Sequence, residues 1–172
     1  EIGTQMLKNI SSNGSAGPNG FTRFNGKLYF AATDATNFTE PWVTDGTSAG
    51  TQMLKNIHPT FGSNPKEFTE YNGKLYFQAS DATNGTELWV TNGTTSGTQM
   101  LKNIHPTGSS NPNGFTLYNG KLYFSADNGT HGAELWVTDG TSVGTQMLKD
   151  IHPTGSSGVK GLTVYNDKLY FS

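Results

Sequence analysis

Short apolar runs, each bounded by polar turn formers, recur along the whole chain. One stretch contains four such runs: EFTEYN (67–72), KLYFQAS (74–80), ELWVTN (87–92) and TQMLKNI (98–104). Each has six or seven residues and is rich in aromatic, β-branched or long apolar types. Gly, Asn, Asp, Pro and Ser separate the runs, which is typical of strands joined by turns. No stretch has a sustained 3.6-residue period with caps, so the pattern predicts an all-β protein.

Within these runs, the apolar residues stand on consecutive positions. A sheet with one face in water would alternate apolar and polar residues. In LYF, Leu75 and Phe77 must face one way while Tyr76 faces the other. Both faces of each sheet are therefore predicted to be covered.

Asn-Gly and Asp-Gly pairs stand between the runs. Asn-Gly tolerates positive φ at both central positions of a turn, so it predicts a tight hairpin between the first two runs. The same role is predicted for the pairs between the third and fourth runs. The first set is Asn25-Gly26, Asn72-Gly73 and Asn119-Gly120, and the second is Asp45-Gly46, Asn92-Gly93 and Asp139-Gly140.

The chain is a tandem repeat. GTQMLK begins at Gly3, Gly50, Gly97 and Gly144, which defines a period of 47 residues. Residues 1–172 therefore form a single array of repeats 3–49, 50–96, 97–143 and a truncated 144–172, about 3.7 repeats in all. Four antiparallel strands per repeat, joined by hairpins, predict β-propeller-type blades, because blades stacked side by side cover each other's faces. A β-solenoid, a β-prism or a β-sandwich is the alternative.

Both ends of the chain fall inside a repeat. Residues 1–2 stand where 48–49 stand one repeat later, and the last repeat stops before its ELW run. If the termini completed one blade, 4–10 would be its outermost strand, and 162–166 and 168–171 its inner strands, with the third strand missing. We therefore expect a window of a longer array, whose open blade is completed by further repeats or by a neighbouring copy through β-augmentation.

Charge and composition narrow the range of partners. The formal net charge is −2, only 14% of residues are charged, and the basic residues are scattered, which argues against nucleic-acid and anionic-membrane partners. The absence of cysteine excludes disulfides, thiolate zinc sites and a cysteine nucleophile. No apolar run approaches the ~20 residues of a membrane-spanning helix. Copies of the chain itself or neighbouring repeats are the predicted partners, with glycans as a second possibility.

The segments 40–47, 87–94 and 134–141 read EPWVTDGT, ELWVTNGT and ELWVTDGT. Together with NGKLYF and GTQMLKNIHPTGSSNP they resemble the ELWxxDGT repeats of large secreted or surface bacterial proteins, and the resemblance covers essentially the whole chain. It implies an extracellular, propeller-like module, and it carries no established activity or catalytic residues. Pro41 departs from the motif and lacks a backbone donor, so we expect incomplete strand pairing in the first repeat.

Tryptophan and histidine recur once per repeat and are candidates for carbohydrate binding. Aromatic rings can stack on sugars, but each Trp lies between apolar residues, which favours the core between blades. Each His precedes Pro-Thr and suits a loop position; on successive blades these side chains would lie too far apart to share one metal ion. The candidates are Trp42, Trp89, Trp136, His58, His105 and His152.

Acidic residues before and within the ELW run are candidate calcium ligands, because calcium prefers oxygen. Their spacing does not match an EF-hand loop, and Asx turns explain them equally well. The set is Asp81, Glu87, Asp127 and Glu134. The recurrent Glu40, Glu87 and Glu134 could also be structural acceptors, with Lys27, Lys74 and Lys121 as candidate partners. No cofactor is predicted, and calcium is the one candidate ion.

Six Asn-x-Ser/Thr sequons offer candidate glycosylation sites, although Asn-Gly-Thr is also good turn chemistry. They lie at Asn9, Asn13, Asn37, Asn84, Asn92 and Asn128.

No catalytic residue is predicted. The chain lacks a phosphate-binding Gly-rich loop and a Gly-x-Ser-x-Gly nucleophile pattern. Every candidate group recurs with the repeat, whereas an active site is usually singular. The sequence therefore predicts a non-enzymatic, secreted or cell-surface structural or adhesive repeat protein, part of a fibre or surface assembly. The alternative is a multivalent carbohydrate-binding propeller.

Overall fold

The computed structural model describes residues 3–172 and contains only strands, turns and loops in that range. Fourteen strands form three four-stranded antiparallel sheets and one hairpin, in the sheet orders β1-β2-β3-β4, β5-β6-β7-β8, β12-β11-β10-β9 and β13-β14. The strands are β1 Asn19–Phe24, β2 Lys27–Asp34, β3 Phe38–Thr44, β4 Gln52–Met53, β5 Lys66–Tyr71, β6 Lys74–Asp81, β7 Gly85–Thr91, β8 Gln99–Lys102, β9 Asn113–Tyr118, β10 Lys121–Asp127, β11 Ala133–Thr138, β12 Gln146–Lys149, β13 Thr163–Tyr165 and β14 Lys168–Tyr170.

The first strands of successive sheets contact each other, β1 with β5, β5 with β9 and β9 with β13. Each sheet packs its face on the next, and the backbones of neighbouring sheets approach one another along these first strands. The prediction of propeller-type blades, with four antiparallel strands per repeat, is confirmed. We refer to the three sheets as the first, second and third blades and to β13–β14 as the terminal hairpin.

Side chains of opposite orientation within one strand enter different cores, as the consecutive apolar residues predict. Leu75 and Phe77 lie in the core between the first and second blades, together with Tyr29 of the first blade. Tyr76, between them in sequence, lies in the core between the second and third blades. Burial on both faces, at about 25 cal/mol per Å² of apolar surface, is therefore the main stabilising contribution that ties one blade to the next.

Tight Asn-Gly turns join the first two strands of each blade, as predicted. Asn72 and Gly73 have φ of 49° and 69°, which is the conformation expected of a type I′ turn. The prediction of similar tight hairpins at Asp45-Gly46, Asn92-Gly93 and Asp139-Gly140 is wrong, because the third and fourth strands are separated by residues 45–51, 92–98 and 139–145. There Asp45 accepts a hydrogen bond from the backbone N–H of Thr47 and closes an Asx turn instead.

The first blade is less regular than the others. The prediction of a strand over 4–10 is wrong: this segment has no strand in the structure. Pro41 pairs with Ala31 of β2, but β4 has only two residues, whereas β8 and β12 have four. The missing N–H of Pro41 accounts for the shorter pairing on that side. Residues 1–2, which we aligned with 48–49, lie outside the described range.

The described chain contains no helix long and apolar enough to cross a membrane.

Candidate functional site

A buried glutamate in the third strand of each blade holds the connection to the next blade. Glu40 lies on β3 and is fully buried. Its carboxylate accepts four hydrogen bonds, from the backbone N–H groups of Ile57, His58 and Ser63 and from the Ser63 hydroxyl, at 2.6–3.1 Å. These donors belong to the segment between β4 and β5. We call this arrangement the glutamate clamp.

The clamp recurs with the 47-residue period. Glu87 accepts hydrogen bonds from the N–H groups of Ile104, His105 and Ser110 and from the Ser110 hydroxyl. Glu134 accepts hydrogen bonds from the N–H groups of Ile151 and Ser157. The prediction of a structural acceptor is confirmed, since the donors are backbone amides and serines of the next connection.

The predicted lysine partners of these glutamates are wrong. Lys27, Lys74 and Lys121 are exposed, whereas the glutamates are buried. Lys27 instead lies near Asp45: hydrogen bonds from Thr47 lower the pKa of that carboxyl, and the positive charge of Lys27 adds to the lowering. Burying a lysine beside the glutamate would need further hydrogen bonds for its remaining donors, whereas a backbone amide brings only one.

Burial and hydrogen bonding oppose each other in the clamp. Burial raises the pKa of Glu40 and of Glu87, because the charged form loses its hydration, and the four hydrogen bonds offset only part of this cost. Burial also pushes up the pKa of Glu134, but hydrogen bonds from Ile151 and Ser157 outweigh it, so the net direction is downward. Charging the carboxyl therefore costs more in the Glu40 and Glu87 clamps than in the Glu134 clamp.

The histidines are part of the clamped connections. The backbone N–H groups of His58 and His105 donate to the clamp, so these residues are held by their main chain. The His58 ring accepts a hydrogen bond from the N–H of Phe61. The His105 ring is wedged so closely between Gly108 and Gly129 that a Cβ at either glycine would lie within 2.8 Å of it. His152 is exposed.

The three tryptophans lie in the cores, so their rings are not presented to solvent. Trp42, Trp89 and Trp136 are 5–6% exposed. Trp89 packs in the core between the first and second blades, and Trp136 in the next core. Within the described chain each indole N–H is buried without a hydrogen-bond partner. This placement supports the core role that we weighed for them against sugar stacking.

The candidate calcium ligands are engaged separately. Asp81 accepts hydrogen bonds from the N–H groups of Thr83 and Asn84, and Asp127 from the N–H of Gly129. Glu87 and Glu134 serve their clamps. Among residues 3–172, no three His, Cys, Asp or Glu side chains gather as a metal ion would require.

The sequon asparagines are distributed over loops and turns. Asn9, Asn13 and Asn92 are exposed, and Asn92 accepts hydrogen bonds from Thr94. The remaining three are half-buried, and their side-chain amides contact a neighbouring side chain: Asn37 with Asp34, Asn84 with Asp81 and Asn128 with His131.

The glutamate clamp was not predicted from the sequence. The recurrence of Glu40 was visible, but the partner segment begins 17 residues later and donates mainly through its backbone. Backbone donors leave little sequence signal. The recurrent serine 23 residues after each glutamate was the one available indication, since a buried hydroxyl needs an acceptor.

Comparison with known proteins adds a structural similarity. No protein-family model matches the chain, and no curated protein matches it. A solved structure of a novel α-L-arabinofuranosidase from Clostridium thermocellum matches 96% of this chain and 64% of that chain, with 16% sequence identity and a TM-score of 0.39. The chain thus spans less than two thirds of that enzyme's length, and no activity transfers at this level of identity.

Proposed function

We propose that this protein is a structural repeat module of an extracellular structural or adhesive assembly. The observation that carries the proposal is that the recurrent polar and aromatic side chains are used by the packing of the blades themselves. Glu40 and Glu87 hold the connections, and Trp89 fills a core between blades. The resemblance to secreted and surface ELWxxDGT proteins supports an extracellular location.

A structural module under tension should unfold one blade after another. Stability in a repeat array is close to a sum of repeat and nearest-neighbour contributions, so repeats can open stepwise under force. Pulling the chain from its two ends in a single-molecule experiment should release it in steps of about 17 nm, the extended length of one 47-residue repeat. Release of all blades in one step would contradict the proposal.

The carbohydrate-binding alternative is tested with the same chain. His152 is exposed and His58 is half-buried, whereas the tryptophans are buried and the His105 ring is wedged between two glycines. On a glycan array, the wild type and the His58→Ala, His152→Ala double variant should give the same signal. Saturable binding that disappears in this variant, with an unchanged circular dichroism spectrum, would favour the multivalent lectin over the structural module.

A further inference from the structure

Successive blades meet through two different faces. We call the side of a blade toward the preceding repeat its leading face, and the side toward the following repeat its trailing face. Between the first and second blades, Phe24 and Tyr29 of the trailing face pack against Phe68, Phe77 and Trp89 of the leading face in one buried core. The next interface repeats this arrangement with the residues one period later.

Tyrosines of the trailing face fit a glycine-lined hollow on the leading face that follows. The Tyr71 hydroxyl donates a hydrogen bond of 2.7 Å to the carbonyl of Gly120. Tyr76 approaches Gly140 so closely that a Cβ there would lie 2.6 Å from the tyrosine hydroxyl. Tyr29 makes the same approach to Gly93, at 2.5 Å. The internal interface is therefore a recurrent pairing of tyrosine with glycine.

The leading face of the first blade has the same construction but is open. Phe21 is 56% exposed, whereas its equivalent Phe68 is 8% exposed. Gly26 and Gly46, the equivalents of Gly120 and Gly140 two repeats later, border a cavity of about 500 Å³ that extends past the edge of the blade to Phe24 and to Glu70 of the second blade.

Beside this hollow lies a second, apolar cavity of about 220 Å³, lined in part by Leu7, Ile10, Phe21 and Phe30. The equivalents of Leu7 and Ile10 one period later, Leu54 and Ile57, belong to the buried core between the first and second blades. The segment that borders the open face is thus already in the place it takes at an occupied interface.

The terminal hairpin carries the matching side chains at the other end. Tyr165 and Tyr170 are 65% and 50% exposed, whereas their equivalents Tyr71 and Tyr76 are 8% and 1% exposed. Phe171 is the equivalent of Phe77, which lies on the leading face, so it belongs to the opposite side of the hairpin. The exposed trailing face is therefore formed by the two tyrosines, and exposed large aromatic side chains of this kind mark an interaction surface.

We propose that a second copy of this chain docks head to tail, so that Tyr165 and Tyr170 of one copy enter the open leading face of the next copy's first blade. The contact continues the interface already present between the blades: by the 47-residue period, the Tyr165 hydroxyl meets the carbonyl of Gly26 and the Tyr170 ring lies over Gly46. The inference rests on the proposed function and deepens it, because it names the partner and the surface through which the module extends. The two surfaces differ, so the contact is heterologous and produces a ring or an open filament.

The test uses two variants that each disable one end. Phe21→Glu places a charge on the open leading face, and Tyr165→Glu with Tyr170→Glu places charges on the terminal hairpin. Val143→Glu is the matched control, because Val143 is 90% exposed and lies in the loop between β11 and β12, outside both surfaces. Light scattering after size exclusion and native mass spectrometry give the mass of each assembly.

We expect the wild type and the control to form the same concentration-dependent oligomer, and each end variant to associate at least about 100-fold more weakly. A mixture of the two end variants should form a dimer that grows no further, since one competent leading face meets one competent hairpin. A monomeric wild type, an end variant that assembles normally, or a mixture without a dimer would overturn the proposal.

Milder variants keep the test valid if a charged variant does not fold. Tyr165→Phe with Tyr170→Phe removes only the hydroxyls and should weaken assembly by about 10-fold through the lost hydrogen bond. Unchanged assembly would count against the proposal. A monomeric chain that still unfolds under force in single-repeat steps would contradict self-docking alone and leave the structural module standing.

Discussion

At the scale of single residues, the glutamate clamp is the most demanding interaction in the molecule. A buried carboxylate is stable only when its lone pairs are satisfied, and Glu87 satisfies them with three backbone donors and one hydroxyl. The same four donors need the carboxylate, because a buried N–H without an acceptor loses the hydrogen bond that it makes with water in the unfolded chain.

Removing the carboxylate of Glu87 should therefore lower the free energy of unfolding by more than the loss of one ordinary side chain does. We expect Glu87→Ala to lower the free energy of unfolding by at least about 3 kcal/mol, because it leaves four buried donors without an acceptor. Glu70→Ala is the control, since Glu70 is exposed and should change stability by less than about 0.5 kcal/mol. Equal urea midpoints for the two variants would contradict the clamp.

At the scale of elements, hairpins and loops have different origins. The turn between the first two strands of each blade depends only on its own residues, because Asn-Gly alone supports it. The connection between the third and fourth strands is closed by side chains, with a hydrogen bond of 2.7 Å between the buried hydroxyls of Thr91 and Thr98 in the second blade. Glycines in this connection also leave room for the tyrosine of the preceding blade. The conformation of the loop therefore depends on the packing of two sheets.

The glycine-tyrosine contact can be measured against an internal control. Gly93 and Gly46 have nearly the same φ, 93° and 90°, so an alanine at either site carries the same backbone strain of about 1 kcal/mol. Only at Gly93 would the new Cβ meet Tyr29, while nothing lies within 4 Å at Gly46. In the Tyr165→Glu, Tyr170→Glu background, in which no second copy covers Gly46, we expect Gly93→Ala to be about 1–3 kcal/mol more destabilising than Gly46→Ala in thermal unfolding. Equal losses would show that the tyrosine yields without cost.

At the scale of the whole molecule, the carboxyl groups with a shifted pKa fall into two classes. Asp34 and Asp81 are partly buried, but hydrogen bonds from the residues of their turns outweigh this and lower their pKa. Hydrogen bonds from Thr141 lower the pKa of the exposed Asp139. Glu40 and Glu87, whose pKa burial raises, form the opposite class.

These directions predict a stability maximum in mildly acidic solution. Groups with a lowered pKa stabilise the fold above about pH 4 and lose that contribution as the pH falls through their folded pKa. The protonated forms of Glu40 and Glu87 stabilise the fold below about pH 4.3. That contribution is lost as the pH rises through their raised folded pKa. Thermal midpoints from pH 3 to 8 should rise and then decline.

The neutral variant Glu87→Gln separates the two classes. It cannot titrate at this position, so its midpoint should decline less than that of the wild type on the alkaline side of the maximum. The acidic side should be unchanged, because the aspartates are intact. A wild-type midpoint that climbs steadily from pH 5 to pH 8 would contradict the raised pKa of the clamp glutamates.

Much of the architecture is local and could be predicted from residue order. The strands, the Asn-Gly hairpins and the two-sided burial of Leu75, Tyr76 and Phe77 follow from periodicity and turn chemistry, which act over a few residues. The glutamate clamp could not be predicted, because its donors are backbone groups of a segment distant in sequence. The prediction for the loop that follows Asp45 was also wrong. The hydrogen bond between the Thr44 and Thr51 hydroxyls that closes this loop forms only when these two residues meet.

The sequence by itself determined the 47-residue unit and its four strands, because spacing, turn formers and apolar runs act locally and repeat without drift. Only the tertiary structure decided which side chains remain available. Equivalent residues such as Tyr76 and Tyr170 are identical in type, yet one is buried and the other half exposed. The physical reason is that exposure depends on the neighbouring blade: the third blade covers Tyr76, whereas no sheet among residues 3–172 covers Tyr170.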